Sequence, residues 1–204
     1  MSAASRAAEI LAETGAIVTG SHVVYTSGRH GSAYVNKDAV YPHTDRVSEL
    51  CRLLADAARD ARPEVVCGPA LGGIILSQWT GHHLAVLAVY AEKLPAGGLA
   101  LRRGYDRLVA GRRVLVVEDV LNTGGSVRQA VAAVRAAGGE VVAVAALCNR
   151  GGVTAADLDV PRLIALVELS LESWDAAACP LCRDGVPIDT SIGKGREFLA
   201  ARSA

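Results

Sequence analysis

Val114-Leu115-Val116-Val117-Glu118-Asp119-Val120-Leu121-Asn122-Thr123-Gly124-Gly125-Ser126-Val127 carries the reading of this chain. The apolar, valine-rich run Val114 to Val117 predicts a strand buried on both faces. Two carboxylates follow at its C-terminal end, where open α/β sheets bind their ligands. The turn beyond them flanks two glycines with the hydroxyls of Thr123 and Ser126 and opens directly into a helix. Glycine lets backbone approach an anion closely, and the N–H groups of a helix start point at it. The stretch therefore predicts a phosphate cup. Acids beside a bare phosphate would repel it, so something must lie between, such as ribose hydroxyls donating hydrogen bonds, with a divalent cation nearby. No lysine precedes the Ser/Thr as in a Walker loop, and the G-x-G-x-x-G spacing of a dinucleotide fold is absent. Chemistry alone implies a ribose 5-phosphate.

The rhythm of buried run, glycine turn and helix repeats outward from there. Ser5 to Ala12 predicts a short helix, and Thr19 to Asp38 reads as polar and turn-rich. Thr44 is the expected N-cap of a helix to about Asp60, whose Val47, Leu50, Cys51, Leu54 and Ala58 share one face. Val65 to Cys67 predicts a strand ending in Gly68-Pro69-Ala70-Leu71-Gly72-Gly73, followed by a helix over Ile74 to Leu84. Val86 to Ala91 predicts a strand closing on Glu92-Lys93, and Leu99 to Arg103 the returning arm of a hairpin. Val127 to Ala137 predicts a helix; Glu140 to Leu147 and Leu163 to Leu169 predict strands. Such alternation makes the fold α/β, with a parallel sheet covered on both faces.

The whole-chain quantities agree with one domain of 204 residues. Area scaling gives roughly 9,000 Å² exposed when folded against about 30,600 Å² for the open chain, enough for a sizeable core. Hydrophobic residues make up 51% and charged ones 21%, which excludes a disordered chain. Formal net charge is zero, so nucleic acid is not an expected partner. Arg6, Glu9 and Glu13 interrupt the Ala-rich start, and neither a signal peptide nor a membrane span is expected. Five cysteines, an odd number, fit reduced thiols in a cytoplasm. Cys179-Pro180-Leu181-Cys182 supplies half of a tetrahedral zinc set, but no second pair or nearby histidine follows, so zinc is not expected there.

Glu118 to Ser126 closely resembles the phosphoribosyl diphosphate (PRPP) motif of type I phosphoribosyltransferases. The resemblance extends over about Thr26 to Arg150. It implies a parallel sheet flanked by helices in one domain, 1–204, with a core over about 44–170 and a small hood from 1–43 and 171–204. It also implies that Glu118, Asp119, Val120, Leu121, Asn122, Thr123, Gly124, Gly125 and Ser126 bind PRPP. Ala70, Leu71, Gly72 and Gly73 become the diphosphate loop. Lys93, Asp119, Arg102 and Arg103 become the catalytic candidates, with Leu94 to Arg103 as a lid.

Ser27-Gly28-Arg29-His30-Gly31-Ser32-Ala33-Tyr34-Val35-Asn36 is similar to the orotate branch of that family, and the Cys-Pro-Leu-Cys tail to a shorter bacterial subgroup of it. Orotate binding is then expected from Arg150, Tyr34, Lys37 and Asn122. The implied reaction joins orotate to PRPP with Mg²⁺ carried on PRPP, in a homodimer in the cytoplasm. Thr26, Leu71-Gly72, Asn122 and the Leu94 to Gly98 turn depart from the better-known orotate enzymes, which carry cations in the mobile loop where this turn has none. A transferase for a purine or uracil, or a PRPP-binding regulator without turnover, are the alternative readings.

Overall fold

Side chains alternate between the two faces of a strand, and in this chain both faces are covered. The computed structural model describes residues 2–25 and 27–202; Thr26 lies outside them. In chain order the elements are α1 (Ala3–Glu13), β1 (Ile17–Val24), β2 (His30–Val35), α2 (Thr44–Ala58), β3 (Val65–Pro69), α3 (Gly72–Leu84), β4 (Leu87–Lys93), β5 (Leu99–Leu101), α4 (Tyr105–Val109), β6 (Arg113–Leu121), α5 (Gly125–Ala136), β7 (Glu140–Asn149), β8 (Leu163–Glu168), β9 (Ser173–Trp174), α6 (Pro180–Arg183) and α7 (Gly195–Arg202).

Six strands form the main sheet in the order β5-β4-β3-β6-β7-β8. All neighbours are parallel except β4 and β5, which pair antiparallel as a hairpin. Val66, Leu115, Val117, Ala143, Ala145 and Leu147 pack toward α1, α2 and α3. Their sequence neighbours Val65, Cys67, Val114, Val116, Val144 and Ala146 pack on the other face, against Val127, Ala130, Val131 and Val134 of α5. From β3 the chain goes outward to β4 and then returns to place β6 on the opposite flank of β3. The crevice between the C-terminal ends of β3 and β6 is thus the point where strand order reverses, the usual ligand position in such sheets.

A second sheet, β1-β2-β9, is built from both ends of the chain. Its hairpin falls within the stretch read from sequence as turn-rich. Serine, glycine and histidine outnumber apolar residues there, and β1 is exposed around Thr19 and Gly20, so no clean alternation was visible. Arg29 ties β2 to β9, donating through Nε to Ser173 Oγ at 3.0 Å and pairing with Asp175 at 2.9 Å. Helix α1 was assigned to the hood on sequence, yet it buries Ala7, Ile10 and Leu11 in the same core as α2.

Details of the elements differ from expectation. Thr44 is the first residue of α2 and His43 holds the cap position, without a side-chain cap. The five-residue α4 was not anticipated. Strand β6 runs on through Leu121, because β7 continues beside it with Glu118 opposite Ala146 and Leu121 opposite Asn149. Among the described residues no helix is long and apolar enough to cross a membrane.

Candidate active site

Because Glu118 and Asp119 lie within β6 rather than beyond it, strand alternation sends them to opposite faces. Asp119 follows Leu115 and Val117 toward the face where Tyr41 packs. Its Oδ2 accepts from Tyr41 Oη at 2.9 Å and lies 2.9 Å from Lys37 Nζ, while Oδ1 accepts from the Val120 N–H at 2.7 Å. Glu118 instead lines a cavity of about 300 Å³ with Val120 to Val127. Its Oε1 accepts the Asp119 N–H at 3.0 Å.

The two acids consequently sit in different electrostatic settings. Burial, and then the charge of Asp119, push the Glu118 carboxyl up to about 8. Partial burial opposes the charge of Lys37, but the hydrogen bond to Asp119 and the neighbouring carboxylates prevail, and its pKa rises. Tyr41 is also raised, first by burial and then by Asp119, so it stays a protonated donor.

The cavity beside Glu118 lies where the sequence predicts a phosphate cup. Gly124, at φ 73°, is the N-cap of α5 and makes no side-chain cap hydrogen bond. An uncapped helix start leaves backbone N–H groups for an anion. Thr123, Gly124, Gly125 and Ser126 line this space.

Val120 and Asn122 also line an adjoining cavity of about 410 Å³. Its walls include Tyr34, Lys37 and Arg150, so the structure brings together all four residues expected to bind the base. Ser27, from the orotate-like run, is a further wall, and three residues carry no signal in the sequence: Tyr25 in the β1–β2 turn and Gly193 in the tail line the same cavity, and Tyr41 holds Asp119. The Arg150 guanidinium carbon lies 5.6 Å from the centroid of the Tyr25 ring, within cation–π range. Tyr25 Oη donates to Ala33 O at 2.6 Å, fixing that ring. Tyr25 and Tyr41 carry no spacing signal; they became visible only once the hairpin lay over the sheet edge.

The glycines after β3 close the other side of the crevice. A Cβ on Gly72 would stand 2.1 Å from Asp119 Oδ2 and 2.8 Å from Tyr41 Oη, so only glycine leaves the acid its partners. The Ala70 N–H donates to Ala91 O at 2.9 Å, which places Ala70 to Gly73 beside the end of β4. Leu71 is 82% exposed there.

Lys93, Arg102 and Arg103 line neither cavity. Lys93 ends β4 opposite Leu99, and the Arg103 guanidinium pairs with Glu92 on that hairpin. The expected lid is thus an exposed hairpin with Gly97 and Gly98 at its tip, both at positive φ.

Comparison with known proteins agrees with this geometry. A family model described as phosphoribosyl transferase domain matches residues 36–176. The chain is similar to an orotate phosphoribosyltransferase of Pelotomaculum thermopropionicum, 42% identical over 87% of this chain and 91% of the relative. A counterpart of the same name from Caldicellulosiruptor bescii is 38% identical over 88% and 92%. Among solved structures it is similar to Mycobacterium tuberculosis orotate phosphoribosyltransferase in complex with 5-phospho-alpha-D-ribosyl 1-diphosphate. That match has a TM-score of 0.63 and 28% identity over 81% of this chain and 96% of the other.

Proposed function

The chain belongs to the phosphoribosyl transferase family, and on that footing we propose that it is an orotate phosphoribosyltransferase, moving the 5-phosphoribosyl group from PRPP to orotate. The observation that carries this reading is the pair of joined cavities. One is a phosphate cup at the start of α5, and the other holds an arginine and aromatic rings and shares Val120 and Asn122 with it.

In this reading the 5-phosphate sits on the N–H groups and hydroxyls of Thr123 to Ser126. Arg150 clamps the orotate carboxylate, and Tyr34 packs near the ring. Pyrimidine N1 gives its proton to solvent water and bonds to C1′ as the bond to diphosphate breaks and its electron pair leaves on diphosphate. C1′ becomes cationic on the way, and catalysis consists of holding the nucleophile in line and stabilising that charge. Asp119, positioned by Lys37 and Tyr41, provides negative charge and accepts from ribose hydroxyls; Glu118, its carboxyl pushed up to about 8, offers oxygen acceptors to those hydroxyls from the other face of β6. Lys93, Arg102 and Arg103 remain proposed diphosphate contacts, made when the β4–β5 hairpin closes.

Mg²⁺ belongs to the same proposal. Carboxylates are hard donors of the kind it takes, but Asp119 is already engaged by Lys37 and Tyr41. The residues therefore fit an ion carried on PRPP oxygens, with Glu118 and Asp119 reached through ribose hydroxyls, better than a protein-built cage. Bound there, it would neutralise charge on the departing diphosphate. A homodimer is likewise proposed; Leu71 and Ile75, exposed beside the crevice, supply apolar surface for it.

The test is turnover of PRPP with orotate, uracil, hypoxanthine and adenine. Orotidine 5′-phosphate formation is the expected result. Turnover of a purine without orotate would reject the reading, and PRPP binding without any turnover would favour a regulator.

A further inference from the structure

The small sheet and the tail hold a second group of reactive side chains, away from the two cavities. His30 is opposite Val24 in the β1–β2 hairpin, so His22, two residues back, points to the same face. Cys179 caps α6 and Cys182 lies within it. The ligand atoms of these four residues all lie within 4.8 Å of one another. His22, His30 and Cys179 are at most 3% exposed. The missing half of the zinc set does not follow the cysteines in sequence; contrary to expectation, the fold brings it from about 150 to 160 residues upstream.

The distances have the shape of a coordination sphere. His22 Nε2 is 2.9 Å from His30 Nδ1, 3.6 Å from Cys179 Sγ and 3.7 Å from Cys182 Sγ; Cys182 Sγ is 3.4 Å from His30 Nδ1. Tetrahedral zinc with ordinary bond lengths requires about 3.3 Å between nitrogens and about 3.6 Å between nitrogen and sulfur. The tautomer agrees as well. His22 Nδ1 donates to the Val186 carbonyl at 2.7 Å, which leaves the neutral ring a lone pair on Nε2. That single lone pair faces two sulfurs and a nitrogen. Hydrogen bonding can use it once, while a metal at the centre uses one lone pair from each of the four.

We propose that His22, His30, Cys179 and Cys182 bind one Zn²⁺ tetrahedrally and so clamp the hairpin to the tail. Both thiols give up their protons on binding, and two thiolates balance the charge of the ion. All four positions are filled by protein, so the site is structural, with none open for chemistry. The clamp fixes the β1–β2 hairpin, with Tyr25 in its turn and Tyr34 in β2, against the segment that carries Gly193, all three being walls of the larger cavity. The proposal stands whichever base the enzyme uses.

The test uses the full chain purified under reducing conditions. Elemental analysis is expected to give one zinc per chain, and none in the Cys179→Ser, Cys182→Ser double variant. Cobalt(II) exchanged into the wild-type protein should show a thiolate-to-metal band and the intense visible bands of a four-coordinate site, weakened in His22→Ala. Removing zinc with a chelator should lower the melting temperature, and zinc returned should restore it. The wild-type measurements decide the matter even if the variants fold poorly. A reduced protein that holds no zinc and takes up no cobalt, a six-coordinate cobalt spectrum, or a Cys179–Cys182 disulfide in the mass spectrum would each overturn the assignment.

Discussion

Asp119 has three partners on one carboxylate: an ammonium, a phenol and its neighbour's amide. Asp119→Asn keeps the shape and removes the charge. It is expected to lower kcat/KM for PRPP by about 10²–10³-fold, the size usual for one preorganised electrostatic group, with the melting temperature little changed. Steady-state kinetics beside a thermal melt check this, and retained activity would remove Asp119 from the ribose. Arg150 contacts the base in our reading, and a charge-assisted hydrogen bond contributes about 1.5–3 kcal/mol, roughly ten- to hundred-fold in affinity. Arg150→Ala should therefore raise KM for orotate by that factor and leave KM for PRPP nearly unchanged. An equal rise in both would deny the carboxylate clamp. Glu118, Asp119, Thr123 to Ser126 and Arg150 were legible in sequence because each stands at the end of an apolar run, where the fold class itself puts ligands. Tyr25 and Tyr41 were not, since their proximity to Arg150 and Asp119 depends on where the hairpin and its connection lie.

At the scale of the element, β6 is two strands' worth of information in one. Its alternation decides which acid meets Tyr41 and which meets the phosphate cup, something that adjacency in sequence conceals. It also holds a carboxyl in a place where ionisation is disfavoured. A free glutamate titrates near 4.3, and Glu118 in the fold is pushed up to about 8. Between those values the folded protein binds a proton that the unfolded chain has lost. Glu118 therefore favours the fold most below the lower value, and that contribution falls as pH rises through the higher one. Melting temperatures recorded from about pH 5 to 9 should decline across this window, and Glu118→Gln should flatten the decline. An unchanged slope in the variant would show that other groups set it. The strand-helix alternation from Val65 to Glu168 was predicted nearly element by element, because parallel strands must be apolar on both faces. The β1–β2 hairpin was not, because a small half-exposed sheet leaves no such trace.

For the molecule as a whole, the thiols report on how the parts are held. Burial pushes Cys51 and Cys67 up to about 12 and Cys148 up to about 11. At about pH 8 these three should be inert to a disulfide reagent in the native protein, since the thiolate is the reacting form. Two further thiols per chain, Cys179 and Cys182, are expected to react once a chelator is added, and all five after denaturation. Rapid labelling of a core thiol without denaturant would contradict the packing described. The pairing of sequence-distant pieces that makes this arrangement was the least legible feature of all. Nothing in the residues around Ser173 announces that they belong beside Arg29.

The same pairing has a consequence for synthesis. Arg29 leaves the ribosome 144 residues before Ser173, its partner across β2 and β9. The α/β layers can settle largely from contacts between successive elements, whereas the pairing of the hairpin with β9 must wait for the last part of the polypeptide. The cavity we assign to the pyrimidine, which needs Gly193 of the tail as a wall, is therefore the last to be completed. On that assignment, a nascent or prematurely terminated chain would possess its sugar-phosphate half long before it could discriminate among bases.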